Sequence, residues 1–228
     1  MSGEAPRAER DLFSPASSPR LIQTIGERAK KCGLELPQAA LAALALHARR
    51  VRERNDDLHL TSIHDPREFV ERHLGESFEG AAMLEPGMGG SLLDLGSGNG
   101  YPGLAVASAR PGLRPLLAEA ARAKAAFLRG VVEEAFPGGA VLEGQVQRPA
   151  DLGGSGPFSA IVTRALGNWE RVLPRLASAL DSRGTLLVWT GAQMETVATR
   201  KAWGRFRLVE RKPLPGRERS WVWRFETA

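Results

Sequence analysis

Three glycines, Gly96, Gly98 and Gly100, stand at alternate positions directly after a short apolar run of strand length. Glycine adopts positive φ without steric cost, and its lack of a Cβ lets a ligand lie against the main chain. The Ala-, Leu- and Val-rich segment 103–109 has the composition of a helix. Pro102 suits the first turn of this helix, whose free N–H groups favour an electronegative ligand group. The stretch therefore predicts a strand, a tight turn and a helix start that together cradle a ligand.

Two acidic residues accompany this turn. Asp94 lies two positions before the first glycine, where its carboxylate can order the turn and meet the cationic end of a cofactor, directly or through water. Glu119 ends the next apolar run, about where an α/β fold places the carboxylate that binds a ribose diol. The spacing G-x-G-x-G differs from the dinucleotide fingerprint. The order strand, glycine turn, helix, strand, acid is typical of S-adenosylmethionine-dependent methyltransferases; a glycine turn used only for close packing remains the alternative.

Length and composition limit the class of protein. A chain of 228 residues fits one moderate α/β domain with a small accessory region. No apolar run approaches the roughly 20 residues that span a bilayer, and no apolar segment follows the charged N-terminus. We therefore expect a cytoplasmic protein without membrane contact. The single cysteine, Cys32, excludes an intramolecular disulfide framework and a cysteine-rich zinc site, and we expect no bound metal.

The charge balance indicates a polyanionic partner. The formal net charge is +5, and arginines are concentrated at 49–54 and in the last thirty residues. A basic surface of this kind favours nucleic acid. A solvated basic surface or the codon usage of a GC-rich genome would give the same composition, so charge alone does not decide the partner.

The order of elements predicts the fold. Residues 1–16 have no periodic pattern and are expected to be mobile, and 17–85 carry helical periodicity. From 86 to 228 strands and helices alternate, and two alternating runs, 206–211 and 219–226, end the chain as an antiparallel hairpin. The prediction is an α/β, Rossmann-like methyltransferase domain with a seven-stranded, mostly parallel sheet, an antiparallel last strand and an N-terminal helical region.

Several motifs resemble one known family. They are Asp94–Gly103 (DLGSGNGYPG), Arg110-Pro111, Glu119 with Lys124, Phe127 and Leu128, and the segments Leu60–Ile63, Arg72–Ser77 and Thr163–Ala165. Together they resemble the glucose-inhibited division protein B family, the small-subunit ribosomal RNA methyltransferases G, over roughly residues 20–226. The first block is more specific than a generic methyltransferase loop because a proline and a glycine close it.

The resemblance implies transfer of a methyl group from S-adenosylmethionine to N7 of a guanine in 16S rRNA. It implies small-subunit ribosomal RNA or a ribosomal particle as the partner, rather than DNA, and we expect a monomer. The cofactor-binding residues implied by the resemblance, together with those suggested by the glycine turn, are Asp94, Gly96, Ser97, Gly98, Gly100, Pro102, Glu119, Gln145, Val146 and Arg164. The residues implied to face the methyl-transfer site or the RNA are Arg164, Arg72 and His73.

Some positions depart from the family pattern on the substrate side. Thr190-Gly191 stands where the family usually has Lys-Gly, Glu76 replaces an aspartate, and His59 replaces an asparagine. Gln145 and Gln147 also depart from it. Three alternatives therefore stay open: a methyltransferase acting on another RNA position, one acting on a small molecule, and an RNA-associated protein that binds the cofactor but has lost transfer activity.

Overall fold

The computed structural model describes residues 12–198 and 203–227. Residues 1–11 of the stretch predicted to be mobile lie outside the described part. At the start of that part, Leu12 is buried, and the Phe13 ring lies edge-on to Phe69 with 5.1 Å between ring centroids. These contacts attach the first described residues to the helical region.

The N-terminal region is helical. Its first helices are α1 (Ser18–Lys31), α2 (Gln38–Glu53) and α3 (Asn55–Leu58). A longer helical run follows in three joined pieces: α4 (Pro66–Phe69), a π-helical turn (Val70–Gly75) and α5 (Glu76–Ala81). Asp65 caps this run, because its Oδ1 accepts a hydrogen bond from the Glu68 N–H at 2.8 Å. The π-helical turn widens the helix where it carries Arg72 and His73.

Seven strands form one sheet. They are β1 (Gly89–Leu95), β2 (Gly112–Glu119), β3 (Ala140–Glu143), β4 (Phe158–Arg164), β5 (Leu180–Gly191), β6 (Phe206–Pro213) and β7 (Ser220–Thr227). Their order is β3-β2-β1-β4-β5-β7-β6, and β7 runs antiparallel to both neighbours while β1 to β5 pair in parallel. The intervening helices are α6 (Gly103–Ala109), α7 (Arg122–Ala135), α8 (Trp169–Leu176) and α9 (Gln193–Ala198). The predicted Rossmann-like architecture is confirmed.

Both faces of the sheet are covered. On one face the helical region and the sheet share a hydrophobic cluster, which includes Leu74 and Phe78 together with Leu92 and Leu104. Helix α8 covers the other face, and Met194 of α9 and Trp203 belong to the same hydrophobic cluster. The predicted division at residues 85 and 86 thus marks a change of secondary structure within one shared core.

The topology fixes where a ligand can bind. Strand β1 lies between β2 and β4, so the connections on its two sides run in opposite directions across the sheet. In such open sheets ligands bind outside the carboxyl ends of the strands at this switch point. The parallel strands end there at Leu95, Glu119, Arg164 and Gly191.

Candidate active site

A cavity of about 760 Å³ opens at the carboxyl ends of the parallel strands. The predicted site residues that line it are Gly96, Ser97, Gly98, Glu119, Arg164, Arg72 and His73. The predicted residues that do not line it are Asp94, Gly100, Pro102, Gln145 and Val146. The structure therefore brings the glycine turn together with the helical region in one cleft.

The glycine turn has the backbone conformation that its sequence predicts. Gly96, Gly98 and Gly100 have φ values of 73°, 57° and 93°, in the left-handed region that side chains rarely adopt. The Gly96 and Ser97 N–H groups both donate to the Ala118 carbonyl at 3.0 Å. A Cβ built on Gly98 would have its nearest neighbour 3.9 Å away, so the open space of the cavity lies directly against the main chain at this glycine.

Glu119 is held by the same turn. Its Oε2 accepts from the Gly98 N–H and its Oε1 from the Ala121 N–H, each at 2.8 Å. A carboxylate oxygen has two lone pairs, so each oxygen can still accept a hydroxyl hydrogen from the cavity. Glu119 thus lines the cavity with acceptor capacity to spare, and its binding of a ribose stays a prediction.

Asp94 lies beneath the glycine turn, outside the cavity. Its side chain is fully buried, and its Oδ2 accepts from the Gly103 N–H at 3.0 Å. The Ser97 hydroxyl donates to the Asp94 carbonyl at 2.9 Å. Burial raises the pKa of Asp94 to about 7, against the lowering effect of the Gly103 N–H. The carboxylate orders the turn, as predicted, but it does not line the cavity.

Gly100 and Pro102 also support the turn from outside the cavity. A Cβ on Gly100 would lie 2.9 Å from the His47 ring, so this glycine is needed for the close approach of α2. Pro102 is the N-cap residue of α6 and lies directly before its first helical residue, whereas the sequence predicted it within the first turn. After β3, Val146 is buried in the core on the α8 face, while Gln145 is exposed.

Arg164, the last residue of β4, ties the sheet to the helical region. Its Nη1 donates to the Arg72 carbonyl and its Nη2 to His73 Nδ1, each at 3.0 Å. Its Nη2 also lies 3.4 Å from the Tyr101 carbonyl. Burial lowers the pKa of Arg164, while the carboxylates of Glu76 and Asp94 act in the opposite direction. These contacts fix the guanidinium in the cavity lining.

His73 is held as a neutral ring. Because arginine can only donate, His73 Nδ1 must accept from Arg164, and Nε2 carries the proton that it donates to the Thr61 hydroxyl at 2.8 Å. Burial and the nearby Arg164 lower the pKa of His73 to about 2. Its ring stacks on Tyr101 with 5.3 Å between centroids. Both ring nitrogens of His73 are therefore occupied, and the ring holds one side of the Arg164 guanidinium.

Glu76 lies close to three arginines of the site. Its side chain is only 8% exposed, and its Oε1 lies 2.9 Å from Arg72 Nε and 3.4 Å from Arg217 Nη1. Its Oε2 lies 3.8 Å from Arg164 Nη1. Burial raises the pKa of Glu76, and Arg164 and Arg72 oppose that rise.

Sequence reasoning did not select several residues that line the cavity, among them Asn99, Tyr101, Gln193 and Arg217. Asn99 and Tyr101 occupy the variable positions of the glycine turn, so the motif itself could have pointed to them. Gln193 donates to the Thr190 hydroxyl at 2.8 Å. No local pattern marks Arg217, which reaches the site from the hairpin turn.

Within the described ranges, no helix is long and apolar enough to cross a membrane, and no group of three His, Cys, Asp or Glu side chains could hold a metal ion.

The family model described as rRNA small subunit methyltransferase G matches residues 40–206. The chain belongs to that family. It is 34% identical over 181 residues to the ribosomal RNA small subunit methyltransferase G of Sorangium cellulosum (strain So ce56), covering 78% of this chain and 75% of the relative. It is 33% identical over 171 residues to the protein of the same name from Alkalilimnicola ehrlichii, covering 75% of this chain and 76% of the relative. The family resemblance found in the motifs is confirmed.

Solved structures share the fold at low identity. MtNAS in complex with MTA and tNA superposes with a TM-score of 0.58 at 17% identity, covering 96% of this chain and 91% of that one. The fibrillarin pre-rRNA processing protein of Methanococcus jannaschii superposes with a TM-score of 0.53 at 16% identity, covering 63% of this chain and 69% of that one. These similarities support the Rossmann-like fold of this methyltransferase G family member.

Proposed function

We propose that this chain transfers the methyl group of S-adenosylmethionine to N7 of a guanine in small-subunit ribosomal RNA. The observation that carries the proposal is the single cavity in which the glycine turn and Glu119 form one end and an arginine-lined wall forms the other. Membership of the methyltransferase G family and the basic composition support it.

The residues of the cleft fit the cofactor. Gly98 presents bare main chain to the cavity, and together with Gly96 and Ser97 it would hold the methionine part. Glu119, already oriented by backbone N–H groups, would accept hydrogen bonds from the ribose hydroxyls. When bound, S-adenosylmethionine supplies an electrophilic methyl group.

The chain's task is then to position the acceptor. Guanine N7 has a free lone pair at neutral pH, so the reaction requires no general base. The described site offers none in His73, since both ring nitrogens are occupied and its pKa is low. Arg164 and the main chain around it shape the transfer site, and holding two reactants in line can account for a large part of a barrier.

We propose small-subunit ribosomal RNA, free or within a ribosomal particle, as the partner, and a cytoplasmic monomer as the working form. The departure at Thr190 does not leave the substrate side uncharged, because Arg217 lines the same part of the cavity. Methylation of a different position in RNA is therefore the second candidate function, and it is favoured over loss of transfer activity.

A labelled-methyl transfer assay tests the proposal. Purified protein and methyl-labelled S-adenosylmethionine are incubated with small-subunit RNA, with the corresponding particles, and with free guanosine, the RNA coming from cells that lack this protein. The proposal predicts label in the RNA or the particle and none in guanosine. Label in guanosine would support a small-molecule acceptor, and cofactor binding without any label would support lost activity.

A further inference from the structure

Of the three arginines in the cavity wall, Arg217 is the most loosely held. Arg72 has Glu76 at 2.9 Å and a second carboxylate, Glu68, at 3.8 Å. Arg164 donates to the backbone carbonyl of Arg72. For the Arg217 guanidinium, the part of the chain that the structure describes offers one partner, Glu76 Oε1 at 3.4 Å. That distance exceeds the roughly 2.7–2.9 Å of a strong charge-assisted hydrogen bond.

The charges around Glu76 do not balance. One carboxylate, 8% exposed, faces three guanidinium groups, and the second carboxylate, the 53% exposed Glu68, lies near Arg72 alone of these three. Arg164 is 19% exposed and Arg217 33% exposed, so both have lost much of their hydration. Partly buried charge without a counter-charge is unfavourable, and an anion entering this wall would be stabilised by the excess positive charge.

The hairpin turn holds Arg217 over the cavity. Leu214 is 5% exposed and lines the cavity, and its N–H donates to the Ser220 carbonyl at 2.9 Å. The Arg217 N–H donates to the Leu214 carbonyl at 3.2 Å. Arg219 has a φ of 56°. This left-handed backbone conformation is rare for residues other than glycine, and it is found most often at functional sites. The turn is therefore anchored at both ends with Arg217 between them.

The position in the sheet separates Arg217 from the cofactor end. Glu119 ends β2, and Arg217 precedes β7, four strand spacings away in the order β2-β1-β4-β5-β7. At about 4.8 Å per spacing this is about 19 Å. A cofactor whose ribose bound at Glu119 would be held there and at the glycine turn that follows β1. Arg217 lies beyond that point, on the acceptor side.

We propose that Arg217 leaves Glu76 when RNA binds and contacts a phosphodiester group next to the nucleotide whose base enters the cavity. The planar guanidinium matches two phosphate oxygens, and Glu76 keeps Arg72 and Arg164 as partners. This inference rests on the proposed function, since it assigns the arginine wall to the RNA rather than to the cofactor.

The test compares Arg217→Gln, Arg217→Lys and the control Arg129→Gln. Arg129 pairs with Glu143 of β3, at the opposite edge of the sheet. RNA dissociation constants are measured over a range of salt concentrations, and cofactor dissociation constants are measured by calorimetry. For Arg217→Gln we expect about tenfold weaker RNA binding at low salt and a slope of log K against log salt that is smaller by about 0.7–0.9, the loss of one phosphate contact. Arg217→Lys keeps the slope, and cofactor affinity stays unchanged.

Four results would overturn the inference. Weaker cofactor binding with an unchanged salt slope would assign Arg217 to the cofactor's carboxylate. A lower melting temperature in Arg217→Gln with an unchanged slope would assign it to stability alone. If the wild-type protein methylates the RNA while the Arg217→Gln slope equals the wild-type slope, this inference fails and the proposed function stands. If the wild-type protein transfers no methyl group to RNA, both fail.

Discussion

Replacing Gly98 by alanine separates the cost of backbone strain from the loss of the cofactor cradle. A Cβ at this position meets no atom closer than 3.9 Å, so alanine fits without a clash. Its φ of 57° is left-handed, which costs an ordinary residue roughly 1–2 kcal/mol. In a chain of this size that corresponds to a fall in melting temperature of about 2–8 °C.

The effect on cofactor binding should be larger than the stability loss explains. The added methyl group occupies space that the proposed cradle leaves for the ligand's close approach to the main chain. We expect the dissociation constant for S-adenosylmethionine to rise at least about tenfold, which corresponds to about 1.4 kcal/mol, while the folded fraction at 25 °C stays near complete. Calorimetric titration gives the affinity, and thermal unfolding gives the stability.

Gly130→Ala is the matched control. Gly130 lies inside α7 with no atom within 4 Å of its Cβ position and without a positive φ. Alanine there should leave cofactor affinity unchanged and stabilise the helix by up to about 1 kcal/mol. A Gly98→Ala protein that binds the cofactor within twofold of wild type would refute the assignment of the glycine turn as the cradle.

Three further predictions concern the helical region that faces the turn. Arg164→Lys replaces a planar guanidinium, whose Nη1 and Nη2 donate separately to the Arg72 carbonyl and to His73, with a single ammonium nitrogen. The kcat for methyl transfer should therefore fall about tenfold or more, with the fold intact by circular dichroism; an unchanged kcat contradicts its role. The folded-state pKa of His73 is depressed to about 2, so its contribution to stability is present above pH 6.5 and is lost as the pH falls. The difference in unfolding free energy between wild type and His73→Asn should therefore shrink by about 2 kcal/mol between pH 7 and pH 5, measured by denaturant titration. A difference that does not depend on pH would contradict a neutral buried ring. A Cβ on Gly80 would lie 2.1 Å from Trp189, so Gly80→Ala should cost about 1–3 kcal/mol by overpacking, and a neutral denaturation midpoint contradicts that packing.

The parts of the glycine turn whose conformation could be predicted from the sequence are local. Asp94, Gly98 and Glu119 belong to a strand, a turn and the next strand end, and their spacing alone specifies the conformation. Positive φ at the glycines and the bond from the Gly98 N–H to Glu119 follow from that spacing. The mostly parallel sheet and the terminal hairpin follow from the alternation of strands and helices, whereas the strand order comes from the structure.

The parts that sequence did not predict depend on distant contacts. Glu76 receives Arg217 from 141 positions away, and no local pattern indicates that pairing. His73 and Arg164 are 91 positions apart, so the two motifs could be named but not joined. The π-helical turn Val70–Gly75, which carries Arg72 and His73, follows a well-capped helix start and has no signal of its own in the sequence.

The placement of Asp94 shows how a correct motif can be only partly interpreted. Its carboxylate type and position were sufficient to predict that it orders the turn, and Gly103 confirms this. Its burial could not be deduced, because it depends on how α6 packs on β1. A Cβ on Gly103 would lie 2.4 Å from Asp94 Oδ2, and this close approach keeps the carboxylate out of the cavity.

Mapping the methylated nucleotide tests the central claim most directly. Small-subunit RNA from cells that lack this protein is incubated with S-adenosylmethionine and either wild-type protein or Gly98→Ala, and chain cleavage at 7-methylguanine is read by primer extension. The account predicts one cleavage site with the wild-type protein and a much weaker one with Gly98→Ala at limiting cofactor. Methylation at any atom other than guanine N7, or no methylation by a protein that binds the cofactor, would contradict it.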